Sequence, residues 1–238
     1  MSTVDTVIAE PTYESRGQLI VSVEGNIGSG KSTFLSYCSQ DPAFDVFSEP
    51  VDTWSNVGGT NLLEQFYSDP AKWGFPFQME VMITLLDRYL RISPRRIKLV
   101  ERSLLSARHC FQRCMLAHGH LDSVSSAILN QFHDTVRDQW RAIPQIIVYL
   151  SASPAVSYSR LLSRARSEES GVTLEYLSEL DQYHDEWLSG LQARNMAEEE
   201  DLPVLFFLSD FPYLGNASML FHIHRSLPSM LTVLLTRW

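Results

Sequence analysis

Five short apolar runs punctuate the chain, each followed or preceded by a longer stretch of helical period. "QLIVSVE" (18–24), "FDVFSEP" (44–50), "IKLVE" (97–101), "PQIIVYLS" (144–151) and "VLFFLS" (204–209) are rich in β-branched and aromatic residues and nearly continuous in hydrophobicity. Strands that read this way are buried on both faces, as in a parallel sheet. Between them, "STFLSYCSQ", "TNLLEQFYSD", "PFQMEVMITLLDRYLRI" and "SLLSARHCFQRCML" carry apolar positions three and four apart, the spacing of one helix face. Ser103 is the expected N-cap of the last of these. Further helices are expected at about 121–140, 154–166 and 173–191. The alternation implies an α/β fold, with one five-stranded parallel sheet covered by helices on both faces. One domain is expected over 18–238, after a flexible N-terminal segment at 1–17.

Composition narrows the partners. The chain has 28 acidic and 19 basic residues, a formal net charge of −9. A nucleic-acid binder needs a basic surplus to displace counterions, so that class is disfavoured. An anionic ligand must then be met by local clusters of Lys and Arg. Three cysteines without CxxC spacing suit a reducing compartment. Cys110 and Cys114 read as core thiols, and the pairs His118/His120 and His222/His224 as structural, with no nearby thiol or carboxylate completing a ligand set. The N-terminus resembles neither a secretory signal nor an Arg-rich transit peptide, and "SMLTVLLTRW" is too short to span a bilayer. The expected setting is cytoplasmic, with the nucleus as the alternative, and without membrane contact.

The chemistry begins after the first strand. Gly25, Asn26, Ile27, Gly28, Ser29, Gly30, Lys31 and Ser32 fit G-x-x-x-x-G-K-[ST], followed by Thr33. Such a loop curls its N–H groups around an anion at a helix N-terminus, Lys31 reaches the outer phosphates, and the Ser32 hydroxyl can hold Mg²⁺. A glycine-rich turn without ligand is the alternative, disfavoured by the strand before and the helix after. Arg160, Arg164 and Arg166 are three arginines within seven residues. A solvated helix face would explain them alone; beside a phosphate loop they read as a lid over the moving group, at about 160–172.

An acceptor hydroxyl wants a base. "SEPVDTW" sets Glu49 just past the end of a strand, and "VERS" repeats the arrangement with Glu101 and Arg102. Open parallel sheets bind ligands at these strand ends. One carboxylate can take the proton while the other supports Mg²⁺, and Arg102 can bridge base and phosphate. Gln78, Val81 and Leu85 share a helix face, where a buried amide needs a partner. That partner is either a backbone group or the Watson–Crick edge of a pyrimidine, with either order of donor and acceptor obtained by flipping the amide. Ala107, Phe111 and Met115 form a second stripe, in which Phe111 can stack on a base.

"EGNIGSGKST", "EPVDTW", "GGTNLLEQFYSDPAKWGFPFQ", "VERSLLSARHCF" and "RARSEESGVTLEYLSELDQYHDEWL" together resemble the deoxyribonucleoside kinase family over about 18–190. The resemblance implies a P-loop kinase fold and ATP-dependent 5′-phosphorylation of a deoxyribonucleoside, with ATP and Mg²⁺ required. It implies that Glu49 is the general base beside Arg102, that Ser32 and Glu101 support Mg²⁺, and that Tyr67 and Glu169 hold the sugar 3′-OH. Gln78 would read the base, Phe111 would stack on it and Trp54 would wall the pocket. Val81, Leu85 and Ala107 resemble the set in thymidine-accepting members, so pyrimidines are expected first. Homodimers are expected from the family. The rivals are a thymidylate-type kinase, which needs more arginines on the acceptor side, and a nucleotide switch, whose Asp-x-x-Gly and Asn-Lys-x-Asp motifs do not occur here. The stretch beyond residue 213 has no assigned role.

Overall fold

The first strand, β1 (Leu19–Glu24), is buried along its whole length. That burial on both faces is why its sequence runs hydrophobic without alternating. The computed structural model describes residues 18–140, 142–196 and 202–210; the expected N-terminal segment 1–17, the pair His222/His224 and the apolar tail lie outside the described residues. The other strands are β2 (Phe44–Phe47), β3 (Ile97–Glu101), β4 (Ile146–Ser151) and β5 (Val204–Leu208). All pair in parallel in the order β2-β3-β1-β4-β5. The chain therefore builds to one side of β1 and then crosses to the other. This reversal opens a crevice at the carboxyl ends of the strands beside β1.

Alternate side chains of β1 serve two cores, because successive residues in a strand point to opposite faces. Leu19, Val21 and Val23 pack with Phe34 and Leu35 of α1 (Lys31–Cys38). Ile20 belongs to the opposite face, with α3 (Leu62–Ser68), α4 (Pro70–Leu90) and α7 (Ser123–Trp140). On that same face, Ile147 and Tyr149 of β4 pack with Trp187, Leu188 and Leu191 of α9 (Leu174–Met196). Two short elements complete the crevice walls: α2 (Val51–Trp54) after β2, and α8 (Pro154–Arg164) after β4. No helix among the described residues is long and apolar enough to cross a membrane.

Three local details differ from the expectations. α4 begins at Pro70, not Pro76, because Asp69 caps it: its carboxylate accepts from the Lys72 amide at 3.2 Å, and Pro70 sits at the first helical position. α8 stops at Arg164, where Ala165 turns left-handed at φ 54°, so Arg166 lies beyond the helix. The stretch after β3 is not one regular helix. α5 (Leu104–Ser106) opens into a π-helical turn at Ala107–Gln112 and resumes as α6 (Arg113–Ala117).

Ser103 starts that segment with a capping box: its hydroxyl accepts from the Leu105 and Ser106 amides, and the Ser106 hydroxyl accepts from the Ser103 amide. Ser103 is fully buried, so water cannot replace the lost acceptor. Ser103→Ala should lower unfolding free energy by about 1–2 kcal/mol, read from urea denaturation; an unchanged midpoint would remove the cap from any structural role.

Candidate active site

The phosphate loop is shaped by steric necessity. Gly28 has φ 79°, and a Cβ there would stand 2.3 Å from the Ser157 carbonyl oxygen on α8. Only glycine fits both the backbone and the space. Two further fixings come from behind. The Asn26 amide donates to the Leu177 carbonyl of α9 at 2.7 Å and its carbonyl oxygen accepts from the Ile27 amide at 2.8 Å. The Gly25 carbonyl accepts from Lys31 Nζ and from Arg102 Nη1, each at 3.0 Å. Gly25 and Asn26 thus brace the loop and do not line the cavity; Ile27 through Thr33 do line it.

That cavity, of about 920 Å³, runs from the loop across the strand ends to the far helices. It brings together Glu49, Trp54, Tyr67, Gln78, Val81, Leu85, Glu101, Arg102, Ala107, Phe111, Met115, Arg160, Arg164, Arg166 and Glu169. At its centre Arg102 Nε donates to Glu49 Oε1 at 2.8 Å. Arg102 holds a left-handed φ of 62°, rare for a non-glycine residue. Its backbone amide donates to Val23 at 3.0 Å, and its guanidinium lies 4.6 Å over the Phe111 ring. One face of Phe111 is therefore taken by Arg102, and the ring lines the cavity.

Glu101 faces the loop. Its carboxylate accepts from the Ser32 hydroxyl at 2.9 Å and from the Glu49 amide at 3.1 Å. Hydroxyl and carboxylate oxygens side by side, with no nitrogen or sulfur, form the donor set a hard cation such as Mg²⁺ takes.

Charges here are shifted by burial and by each other. Burial and the Arg102 charge push Lys31 down to about 7, against the pull of Glu101, Glu49 and Glu24. Burial alone would raise the Glu49 carboxyl, but Arg102, Lys31 and Arg88 outweigh it and hold it below the usual range. Glu49 is therefore ionised near neutrality. Burial, Glu169 and Glu49 all raise the Tyr67 phenol, which stays protonated and can donate.

The arginines do not form a free fringe. Arg160 donates to the Ser29 carbonyl and to Ser209. Arg164 Nη2 donates to both Glu169 oxygens, at 2.6 and 2.8 Å, and Arg166 reaches the same carboxylate at 3.3 Å. Glu169 is thus an anchor for Arg164 and Arg166 as well as a cavity wall.

The Gln78 amide nitrogen donates to the Ala107 carbonyl at 2.8 Å. A carbonyl partner accepts only from the NH₂ side, so one amide orientation is preferred over the two considered from sequence. One N–H and the carbonyl oxygen remain for a ligand edge. Trp54 is fixed through Nε1–H donating to Thr84 Oγ1 at 2.9 Å, and its ring meets Phe77 edge-on at 5.7 Å.

Two charged residues escaped the sequence reading. Arg88 is buried behind Glu49 and donates to the Ser48 and Thr84 carbonyls. It continues the stripe Gln78, Val81, Leu85 by three more residues, the same signal that singled out Gln78. Glu24, fully buried at the end of β1, is a third strand-end carboxylate beside Glu49 and Glu101. Its charge acts on both Lys31 and Arg102.

Comparison with known proteins shows the family. A family profile described as deoxynucleoside kinase matches residues 21–211. The chain belongs to the deoxynucleoside kinase family. Its five-stranded parallel sheet is the P-loop kinase fold of that family. Human mitochondrial thymidine kinase 2 is 37% identical over 175 residues, which cover 74% of this chain and 66% of the relative. A probable deoxycytidine kinase of fowlpox virus is 32% identical over 200 residues, 83% of this chain and 82% of its own. Mouse deoxycytidine kinase is 30% identical over 205 residues, 75% and 79% of the two chains.

Gly28→Ala sets the loop's steric demand against its ligand. A left-handed alanine clashing with a backbone carbonyl should cost about 1–3 kcal/mol of stability and abolish tripolyphosphate binding. Thermal unfolding and anion titration check both; full anion affinity in the variant would show that the loop tolerates a side chain.

Proposed function

We propose that this protein transfers the γ-phosphoryl group of ATP to the 5′-OH of a pyrimidine deoxynucleoside. The observation that carries the reading is the position of the Arg102–Glu49 pair. It sits in one cavity between the phosphate loop and the Gln78 stripe. A nucleoside lying along that stripe presents its 5′-OH to a carboxylate kept ionised, and the loop presents the phosphoryl group from the other side.

In this mechanism the loop amides and Lys31 hold the outer phosphates, with Arg160, Arg164 and Arg166 closing over them. Glu49 accepts the proton of the 5′-OH as that oxygen bonds to phosphorus and the bond to the leaving ADP oxygen breaks. Arg102 keeps Glu49 oriented throughout. Ser32 and Glu101 would hold Mg²⁺, which when bound neutralises charge on the phosphate oxygens. Tyr67 and Glu169 face the sugar and suit a 3′-OH, one as donor and the other as acceptor. The small, apolar Val81, Leu85 and Ala107 leave room for a pyrimidine and its methyl group.

Across the acceptor side Arg102 is already committed to Glu49, which favours an uncharged nucleoside over a nucleotide. We also propose a homodimer through α4 and α7, which pack together and expose Ile83, Val124 and Ile128.

With ATP·Mg²⁺, thymidine and deoxycytidine should be phosphorylated faster than the purine deoxynucleosides, and dTMP not at all; turnover confined to dTMP would overturn the reading. Glu49→Gln should lower kcat by about two to four decades with KM changed only a few-fold, and near-normal turnover would take Glu49 out of the base role.

Proton linkage gives a separate check on Lys31. Its ammonium titrates at about 7 without ligand, and polyphosphate favours the charged form. ATP binding at pH 8 should therefore take up close to one proton, while at pH 6, with Lys31 already charged, uptake should vanish. Calorimetry in two buffers of different ionisation enthalpy measures this. No uptake at pH 8 would mean that Lys31 stays charged in the free protein.

A further inference from the structure

Outside the cavity, the structure joins side chains that sequence spacing kept apart. Cys114 lies in α6 and His118 follows at its C-terminal end, four residues on, so both face one side. Glu179 comes from α9, on the opposite side of the contact. The Cys114 sulfur, a ring nitrogen of His118 and a carboxylate oxygen of Glu179 all lie within 4.8 Å of one another. His118 Nε2 is 2.5 Å from Glu179 Oε2, and the Cys114 thiol hydrogen-bonds to Glu179. This corrects the expectation that no thiol or carboxylate completes a ligand set around His118.

We infer that Cys114, His118 and Glu179 form a binding site for a single Zn²⁺ ion. The donor set mixes a thiol, an imidazole and a carboxylate, which suits a borderline ion; Mg²⁺ and Ca²⁺ would take oxygen alone. Tetrahedral zinc, with bonds of about 2.0–2.3 Å, sets its ligand atoms about 3.3–3.6 Å apart. His118 Nε2 and Glu179 Oε2 stand closer than this and need only part slightly, and the sulfur already lies within 4.8 Å of both. Finally, the surroundings suit a site with an open position. Tyr183 donates to the other Glu179 oxygen at 3.2 Å and steadies the carboxylate. His118 stacks against His120 at 5.6 Å. Cys114 is 1% exposed, but the His118 and Glu179 side chains are 48% and 29% exposed, giving the ion a route in and leaving its fourth position to water.

The experiment uses the full chain with Zn²⁺ itself, and with Co²⁺ as its spectroscopic substitute. The expected result is one Zn²⁺ bound per chain at micromolar concentration or tighter, a thiolate-to-cobalt charge-transfer band in the near ultraviolet, and a higher Tm with metal. Cys114→Ser should abolish the band and weaken Zn²⁺ binding at least about 100-fold, beyond what loss of a supporting contact does. Should that buried variant fail to fold, His118→Asn and Glu179→Gln, both at exposed side chains, carry the test; each should weaken Zn²⁺ by a similar factor. Absence of stoichiometric Zn²⁺, or a cobalt band unchanged by Cys114→Ser, or Zn²⁺ affinity unchanged by both His118→Asn and Glu179→Gln, would overturn the site and leave an ion pair beside a core thiol. Nucleoside phosphorylation is read separately, so failure here does not bear on the proposed reaction.

Discussion

Everything in the cavity is arranged around one buried cation, the Arg102 guanidinium. Removing one member of a buried ion pair typically costs about 3–5 kcal/mol, so the Arg102–Glu49 contact constrains whatever is built near it. Arg102 also accepts backbone strain, worth about 1–3 kcal/mol for a left-handed non-glycine residue. The compensation is visible: its backbone N–H donates to the Val23 carbonyl, its guanidinium donates to the Gly25 carbonyl and pairs with Glu49, and its plane covers a face of Phe111. Through these contacts one residue joins the ends of β1, β2 and β3 to the π-helical turn. The left-handed turn redirects the chain as it leaves β3 and sends the side chain across the crevice mouth.

The same constraint organises charge. Lys31, Arg88, Arg102, Arg160, Arg164 and Arg166 crowd one crevice of an acidic protein, opposed by Glu24, Glu49, Glu101 and Glu169. Most of the cations already have protein partners: carbonyls for Lys31, Arg88 and Arg160, and Glu169 for Arg164 and Arg166. The depressed Lys31 shows the residual cost, since burial beside Arg102 outweighs three carboxylates. A polyphosphate restores the balance by adding negative charge where the cations converge. The loop is thus complementary to its ligand through an electrostatic deficit as much as through shape.

Much of this could be read from the sequence because it is local. The phosphate loop is contiguous, Glu49, Glu101 and Arg102 follow apolar runs, and Gln78 breaks a helical stripe that can be counted. What was illegible depends on pairings across the chain. Asn26 belongs to the loop motif, yet its amide points to Leu177, which no spacing rule could say. Glu169 reads as a sugar ligand alone until the fold sets Arg164 and Arg166 on it. Arg88 lies three residues past Leu85 on the same stripe, but nothing in the spacing says that its charge is buried. Glu24 was hidden by belonging to the strand itself, where a carboxylate passes for the strand's polar end. The π-turn has no marker at all, since "ARHCFQ" contains no glycine or proline and keeps an ordinary helical pattern.

That turn links the cavity wall to the Cys114 cluster. Ala107, Phe111 and Met115 face the cavity, while Cys110 and Cys114 pack away from it, toward α9. The Ala107 carbonyl holds Gln78, so the position of this one segment sets both the Gln78 amide and the Phe111 ring against the cavity. A π-turn is wider and less well packed than an α-turn, and its far end is anchored where His118 meets Glu179. A metal bound there would tie α6 to α9 at the end of the segment farthest from its Ser103 cap. The wall would then be fixed at both ends, by a buried hydroxyl at one and by coordination at the other, with neither tether touching the substrate.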